Sequence, residues 1–109
     1  MTGFAELTQD AFLGGKVQLF QPKFGYRAGV DPVFLAATVN AAAGQSVLDL
    51  GCGVGAAALC LGARISGLQL TGVERQPEYA DLASRNGLNT ICADVTDLPE
   101  GIRQDQFDH

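Results

Sequence analysis

Only three cysteines and one histidine occur among the 109 residues of this chain. Cys52, Cys60 and Cys92 are odd in number and scattered, and His109 stands far from all of them. Neither a disulfide framework nor a zinc site fits such a set, so no metal is expected and a reducing, cytoplasmic setting is. Basic residues are scarce as well: seven Lys and Arg against twelve Asp and Glu give a net charge of −5. That balance is a poor match for a nucleic-acid backbone when this surface is taken alone. No hydrophobic run is long enough to span a membrane. The start, Met1-Thr2-Gly3-Phe4-Ala5-Glu6, lacks the basic head and apolar stretch of a secretion signal. Repeats and low-complexity tracts are absent too. What is present is 47% hydrophobic residue in a chain of one-domain length, enough for a core.

The most informative segment is Val47-Leu48-Asp49-Leu50-Gly51-Cys52-Gly53-Val54-Gly55. An apolar, strand-forming run ends in an acid, a glycine then stands at every second position, and a small-residue helix follows over 56–65. This is the pattern of a strand–loop–helix turn that brings bare backbone against a ligand. A helix start adds unpaired N–H groups and partial positive charge. Part of a nucleotide-like cofactor site is therefore expected here.

Upstream, Val17-Gln18-Leu19-Phe20 and Phe24-Gly25-Tyr26-Arg27 flank Gln21-Pro22-Lys23 and predict a short hairpin. Asp31-Pro32 predicts a helix start, with Phe34, Leu35, Thr38 and Val39 on one face and Gly44 at its end. Downstream, 68–73 reads as a buried strand ending at Glu74. A helix follows from Pro77, with Tyr79, Leu82 and Ala83 inward and Asn86-Gly87 as its stop. Thr90 to Ala93 reads as a shorter strand running into Asp94, and 106–109 as the entry to a fourth. The β-α-β-α-β alternation implies an α/β fold, a Rossmann-like parallel sheet with right-handed crossovers. Residues 1–45 form an N-terminal hairpin and capping helix in this reading, and 46–109 the first half of the cofactor domain. The neighbour that strand 46–50 needs on its other side is missing. A fragment is expected, with a sheet edge open to self-association.

Two cofactors compete for the loop. A dinucleotide fingerprint can be laid on Gly51, Gly53 and Ala56, with Glu74 as the ribose acid. The alternative is the D-x-G-x-G-x-G loop of S-adenosylmethionine-dependent methyltransferases, on Asp49, Gly51, Gly53 and Gly55. Three features favour the second: Asp49 can face a cationic methionine end, Gly55 continues the alternation, and Asp94 ends strand 3 within reach of an adenine amine. Glu74, a little over 20 residues past the first glycine, suits a ribose diol. Each acid also has a plainer role, as a solvated strand end, a loop cap or a brace for the glycines. Asp31 reads as a cap, and Cys52 and Cys60 as small packing residues.

Beyond the glycine loop, the run Asp10-Ala11-Phe12-Leu13-Gly14-Gly15-Lys16 and the stretch from Gln21 to Pro32 resemble the N-terminal signature of the bacterial tRNA1(Val) adenine-N6 methyltransferase family, within the class I methyltransferases. The likeness runs from about Leu7 to Phe107. It implies a seven-stranded domain that methylates the exocyclic amine of an adenine in tRNA. It also implies cofactor contacts at Gly51, Gly53, Glu74 and Asp94, and a hairpin closing over the cofactor at Tyr26 and Arg27. Such enzymes carry an Asn-Pro-Pro-aromatic motif after strand 4, and this chain stops before it. No catalytic residue is therefore assigned, and the chain alone is expected to be inactive. A methyltransferase with another nucleic-acid or protein substrate, an NAD-binding domain and a non-catalytic remnant are the other readings.

Overall fold

The computed structural model describes residues 6–23, 40–102 and 107–109. An antiparallel pair leads, β1 (Leu7–Phe12) and β2 (Val17–Pro22), joined by a 3-10 turn at Leu13–Gly15. A parallel sheet follows, made of β3 (Ser46–Leu50), β4 (Gln69–Glu74) and β5 (Asn89–Cys92) in that spatial order. Helix α1 (Ala56–Arg64) connects β3 to β4, and α2 (Pro77–Arg85) connects β4 to β5.

The hairpin differs from the expected one. Val17–Phe20 pairs with the strand before it, and Gln21-Pro22 belongs to β2, not to a turn. Phe24–Arg27, the expected partner, lies outside the described residues, as do Tyr26, Arg27 and the helix start at Asp31. Proline is tolerated in β2 because of register. Lys23 N–H donates to Glu6 C=O at 3.0 Å, so Leu7↔Pro22, the next pair along, falls where no ladder bond is made. Counting on by alternate pairs, Gln9↔Phe20 is also such a pair. The backbone N–H and C=O of Phe20 therefore point away from β1.

Residues 40–42 are not helical, so Gly44 does not end a helix. It sits in a turn that Gln45 closes by bonding Ala42 with both backbone and side chain. From β3 onward, expected and observed elements agree within a residue or two. Pro77 opens α2, and Gly87, at φ 105, follows its Asn86 cap.

One further correction concerns β3, which is not bare on its outer side. His109 N–H donates to Ser46 C=O at 3.2 Å, and Leu48 N–H donates to His109 C=O at 3.1 Å. That alternation is the bond pattern of a parallel pair. Asp108 Oδ2 adds a bond from Ser46 N–H at 2.8 Å. The spatial order is thus 107–109, β3, β4, β5, and it reverses at β3. An open α/β sheet takes its ligand at that reversal, beyond the carboxyl ends of the strands.

The core joins the hairpin to the sheet. Val17 and Leu19 of β2 pack with Val47, Val54, Leu61 and Leu82. Leu19 and Leu82 are fully buried, each removing side-chain surface worth about 1.5–3 kcal/mol from water. The alternation of Val17, Leu19 and Gln21 inward follows from the two-residue period of a strand.

Candidate functional site

Three acids stand at or just past the carboxyl ends of three adjacent strands. Asp49 is the fourth residue of β3, Glu74 ends β4, and Asp94 lies two residues past β5. The parallel register produces this: Asp49 pairs with Gly72, and Glu74 with Cys92. Between β3 and α1 runs the glycine loop. Gly51, Gly53 and Gly55 have φ of 74°, 57° and 92°, a left-handed backbone that side chains resist.

The loop is held from within. Gly51 and Cys52 N–H both donate to Val73 C=O, at 2.7 and 3.0 Å, and Gly55 N–H donates to Cys52 C=O at 2.9 Å. Gly53 N–H donates to Glu74 Oε1 at 3.0 Å, while Gln76 N–H donates to Oε2 at 2.8 Å. Glu74 thus braces the loop with one oxygen and the start of the next turn with the other. The three glycines are not equivalent. Space around Gly51 is open, with no heavy atom within 4 Å of where a Cβ would stand. Gly55 is buried, and a Cβ there would meet Leu88 and Leu59 at 3.3 and 3.4 Å.

Electrostatics divide the acids. Burial, and then the nearby negative charge of Glu74, push the Asp49 carboxyl above its ordinary pKa. Cys52, buried beside both acids, has its thiol pushed up to about 12, chiefly by burial. It is a packing residue and a poor nucleophile. Asp94 is pulled the other way by the Thr96 backbone N–H and then the Thr96 hydroxyl, whose bonds to Oδ1 are 2.9 and 2.8 Å. It caps its own turn while presenting a carboxylate at the end of β5. Among the described residues, no group of three or more His, Cys, Asp or Glu could hold a metal ion. All three cysteines are free.

Residues 47–109 match the methyltransferase domain family. The chain belongs to that family. Its members of class I are S-adenosylmethionine-dependent methyltransferases, and that cofactor suits the side chains here. The ligand offers a sulfonium and an ammonium, two ribose hydroxyls and an adenine amine, all cations or hydrogen-bond donors, to three carboxylates. A dinucleotide would instead bring a pyrophosphate next to Asp49 and Glu74. The N–H groups of Gly53 and Gly55, which could cradle it, are already used within the protein.

Known proteins agree on the class. The chain is 38% identical over 69 residues to the tRNA1(Val) (adenine(37)-N6)-methyltransferase of Yersinia enterocolitica, a match covering 62% of this chain and 28% of that protein. The match to this chain thus spans little more than a quarter of the curated relative's length. Among solved structures, a complex between the Haloferax volcanii Trm112 methyltransferase activator and a methyltransferase aligns with TM-score 0.55 and 28% identity. That alignment covers 61% of this chain and 31% of the other. The plantazolicin methyltransferase BpumL, solved with SAH, shares the fold at TM-score 0.50 and 22% identity, over 64% of this chain and 29% of its own.

Two residues that matter to this site escaped the sequence reading. Gly72, inside β4, is where Cys52 and Leu88 close on the sheet; a Cβ there would stand 2.7 Å from both Cys52 Sγ and Leu88 Cδ2. Asn86 looked like a helix stop and nothing more. Its amide spans the hairpin and the glycine loop.

Proposed function

We propose that this chain is the cofactor-binding part of a methyltransferase that modifies the exocyclic N6 amine of an adenine in tRNA. The observation that carries the cofactor half is the row of Asp49, Glu74 and Asp94 at adjacent strand ends, beside a glycine loop whose own N–H groups are largely spent. In this reading Glu74 accepts from the ribose hydroxyls, Asp94 from the adenine amine, and Asp49 faces the cationic methionine end. Gly51 leaves backbone open to the ligand, while Gly53 and Gly55 give the loop its shape. The family resemblance adds Tyr26 and Arg27, outside the described residues, as further cofactor contacts. The bound cofactor supplies an electrophilic methyl group. The protein's work is then to position and desolvate, with little acid–base chemistry.

The tRNA substrate rests on the likeness to the Yersinia enterocolitica enzyme and on the hairpin segment that resembles the same family. A reducing cytoplasm suits three free cysteines and a tRNA-modifying role.

Calorimetric titration of the chain with S-adenosylmethionine, SAH and NAD tests the cofactor. Binding of the first two without NAD is the expected result. Glu74→Gln should then weaken SAH by the loss of a charged hydrogen bond, about 1.5–3 kcal/mol or on the order of 10- to 100-fold. Binding of NAD alone, or of none of the three, refutes the reading. For the substrate, tRNA digested after incubation with the full-length protein should contain new N6-methyladenosine by mass spectrometry. Its absence, with the methyl group found elsewhere, would reassign the acceptor.

A further inference from the structure

We infer that Asn86 is a positioning residue that ties the N-terminal hairpin to the glycine loop, so that the two hold the cofactor site as one body. The cofactor part of this inference rests on the function proposed above. The argument begins with register. Phe20 occupies a pair of the β1–β2 ladder that makes no cross-strand bonds, so its N–H and C=O face outward. Left there under a partly buried surface, both groups would be costly. Asn86 meets both: Oδ1 accepts from Phe20 N–H at 2.7 Å, and Nδ2 donates to Phe20 C=O at 3.0 Å. One side-chain amide thus stands in for the backbone of a third strand.

The second Nδ2 proton goes elsewhere. It donates to the C=O of Val54, between Gly53 and Gly55, at 3.0 Å. A single amide group therefore fixes a hairpin edge 66 residues away and a loop 32 residues away. Its orientation is set, since a carbonyl oxygen facing Phe20 and Val54 C=O would repel both. Two neighbours reinforce the joint. The Arg85 guanidinium lies 4.6 Å from the centroid of the Phe20 ring, and Val54 is buried in the core shared with Val17 and Leu19. Among the described residues, the other hydrogen bonds to the loop come from the sheet, from Leu59 N–H of α1 or from the loop itself, and Asn86 bonds it to the hairpin.

Amide hydrogen exchange on the ligand-free chain, comparing wild type with Asn86→Ala, tests the clamp. Exchange at Phe20 and across residues 51–55 should quicken at least tenfold, while β4 and β5 keep their protection. Unchanged exchange at Phe20 and the loop overturns the inference. So does a uniform loss of protection through the sheet, which would mark Asn86 as a general stability residue. Asn86→Asp adds a readout that simple packing would not move. Its carboxylate keeps the acceptor for Phe20 N–H but turns oxygen toward two carbonyls, so loop protection should fall at neutral pH and recover in part as the carboxyl protonates, its single O–H serving one of the two carbonyls. Should neither variant fold, through-bond couplings from Asn86 Nδ2 to the Phe20 and Val54 carbonyl carbons in the unaltered chain decide, their absence refuting the clamp. SAH titration then reads the consequence, an affinity at least tenfold weaker in Asn86→Ala. A wild type that fails to bind SAH would sink the proposed cofactor, and the exchange data would still judge the clamp.

Discussion

Gly72→Ala should loosen the whole site, and the structure gives its size. A Cβ at position 72 would lie 2.7 Å from Cys52 Sγ, 2.7 Å from Leu88 Cδ2 and 3.1 Å from Cys52 Cβ. Both neighbours are buried, Leu88 at 3% exposure, so neither can swing away into solvent. Forcing one carbon into such a core costs roughly 1–3 kcal/mol. Against this stands the lower chain entropy of unfolded alanine, about 0.4–1 kcal/mol in its favour. The net is a loss of about 1–2 kcal/mol. With a urea dependence of about 1–3 kcal/mol per molar for a chain of this size, the unfolding midpoint should fall by roughly 0.5–1 M. Urea titration followed by circular dichroism measures it. The same substitution in a Cys52→Ala background should cost less, by about 0.5 kcal/mol or more, because the Sγ clash is gone. A Gly72→Ala chain as stable as wild type, or a cost unchanged without the Cys52 sulfur, would refute the packing argument.

Asp49 and the cysteines give two more tests. Because burial and Glu74 raise the Asp49 pKa in the folded chain, the native state holds its proton more tightly than the unfolded state does. That contribution to stability is complete below the ordinary carboxylate pKa and is lost as pH rises through the folded value. Asp49→Asn should therefore be more stable than wild type at pH 7, with the advantage shrinking as pH is lowered toward the carboxylate range. Urea midpoints across pH would show it, and an equal or reversed difference would contradict the burial assigned to Asp49. For the cysteines, native alkylation followed by mass spectrometry should mark Cys92 alone, since Cys52 and Cys60 are buried and burial raises both thiols. Denaturation should expose all three; rapid native labelling of Cys52 would mean that the loop opens.

What could be read from the sequence was local. The run from Val47 to Leu50, the proline at 77 and the Asn86-Gly87 stop each carry their signal within a few residues, and β3, β4 and both helices lie close to where these place them. Glu74 stands out in the sequence by its distance from the first glycine. Its bond to Gly53 does not, because that bond depends on how the loop folds back. The β1–β2 pairing is hidden in the sequence because Pro22 resembles a turn residue; only register shows that it needs no ladder bond. Gly14-Gly15 was the turn signal, overlooked beside it. Gly72 and Asn86 gain their importance from contacts made across the fold. Neither has a neighbour in sequence that would announce it.

The contact of Asp108 and His109 with β3 has a consequence for how the chain is made. Ser46 is bonded by a residue that follows it 62 positions later. During synthesis at about 5–20 residues per second, some 3–12 s separate the two. Through that interval β3 can pair with β4 on one side, but its other edge waits with unmet N–H and C=O groups, a template for any extended segment nearby. Closing so long a loop is slow by topology alone. The order of this sheet makes β3 the first of its strands to be translated, and its outer edge stays open to mispairing until 107–109 arrives.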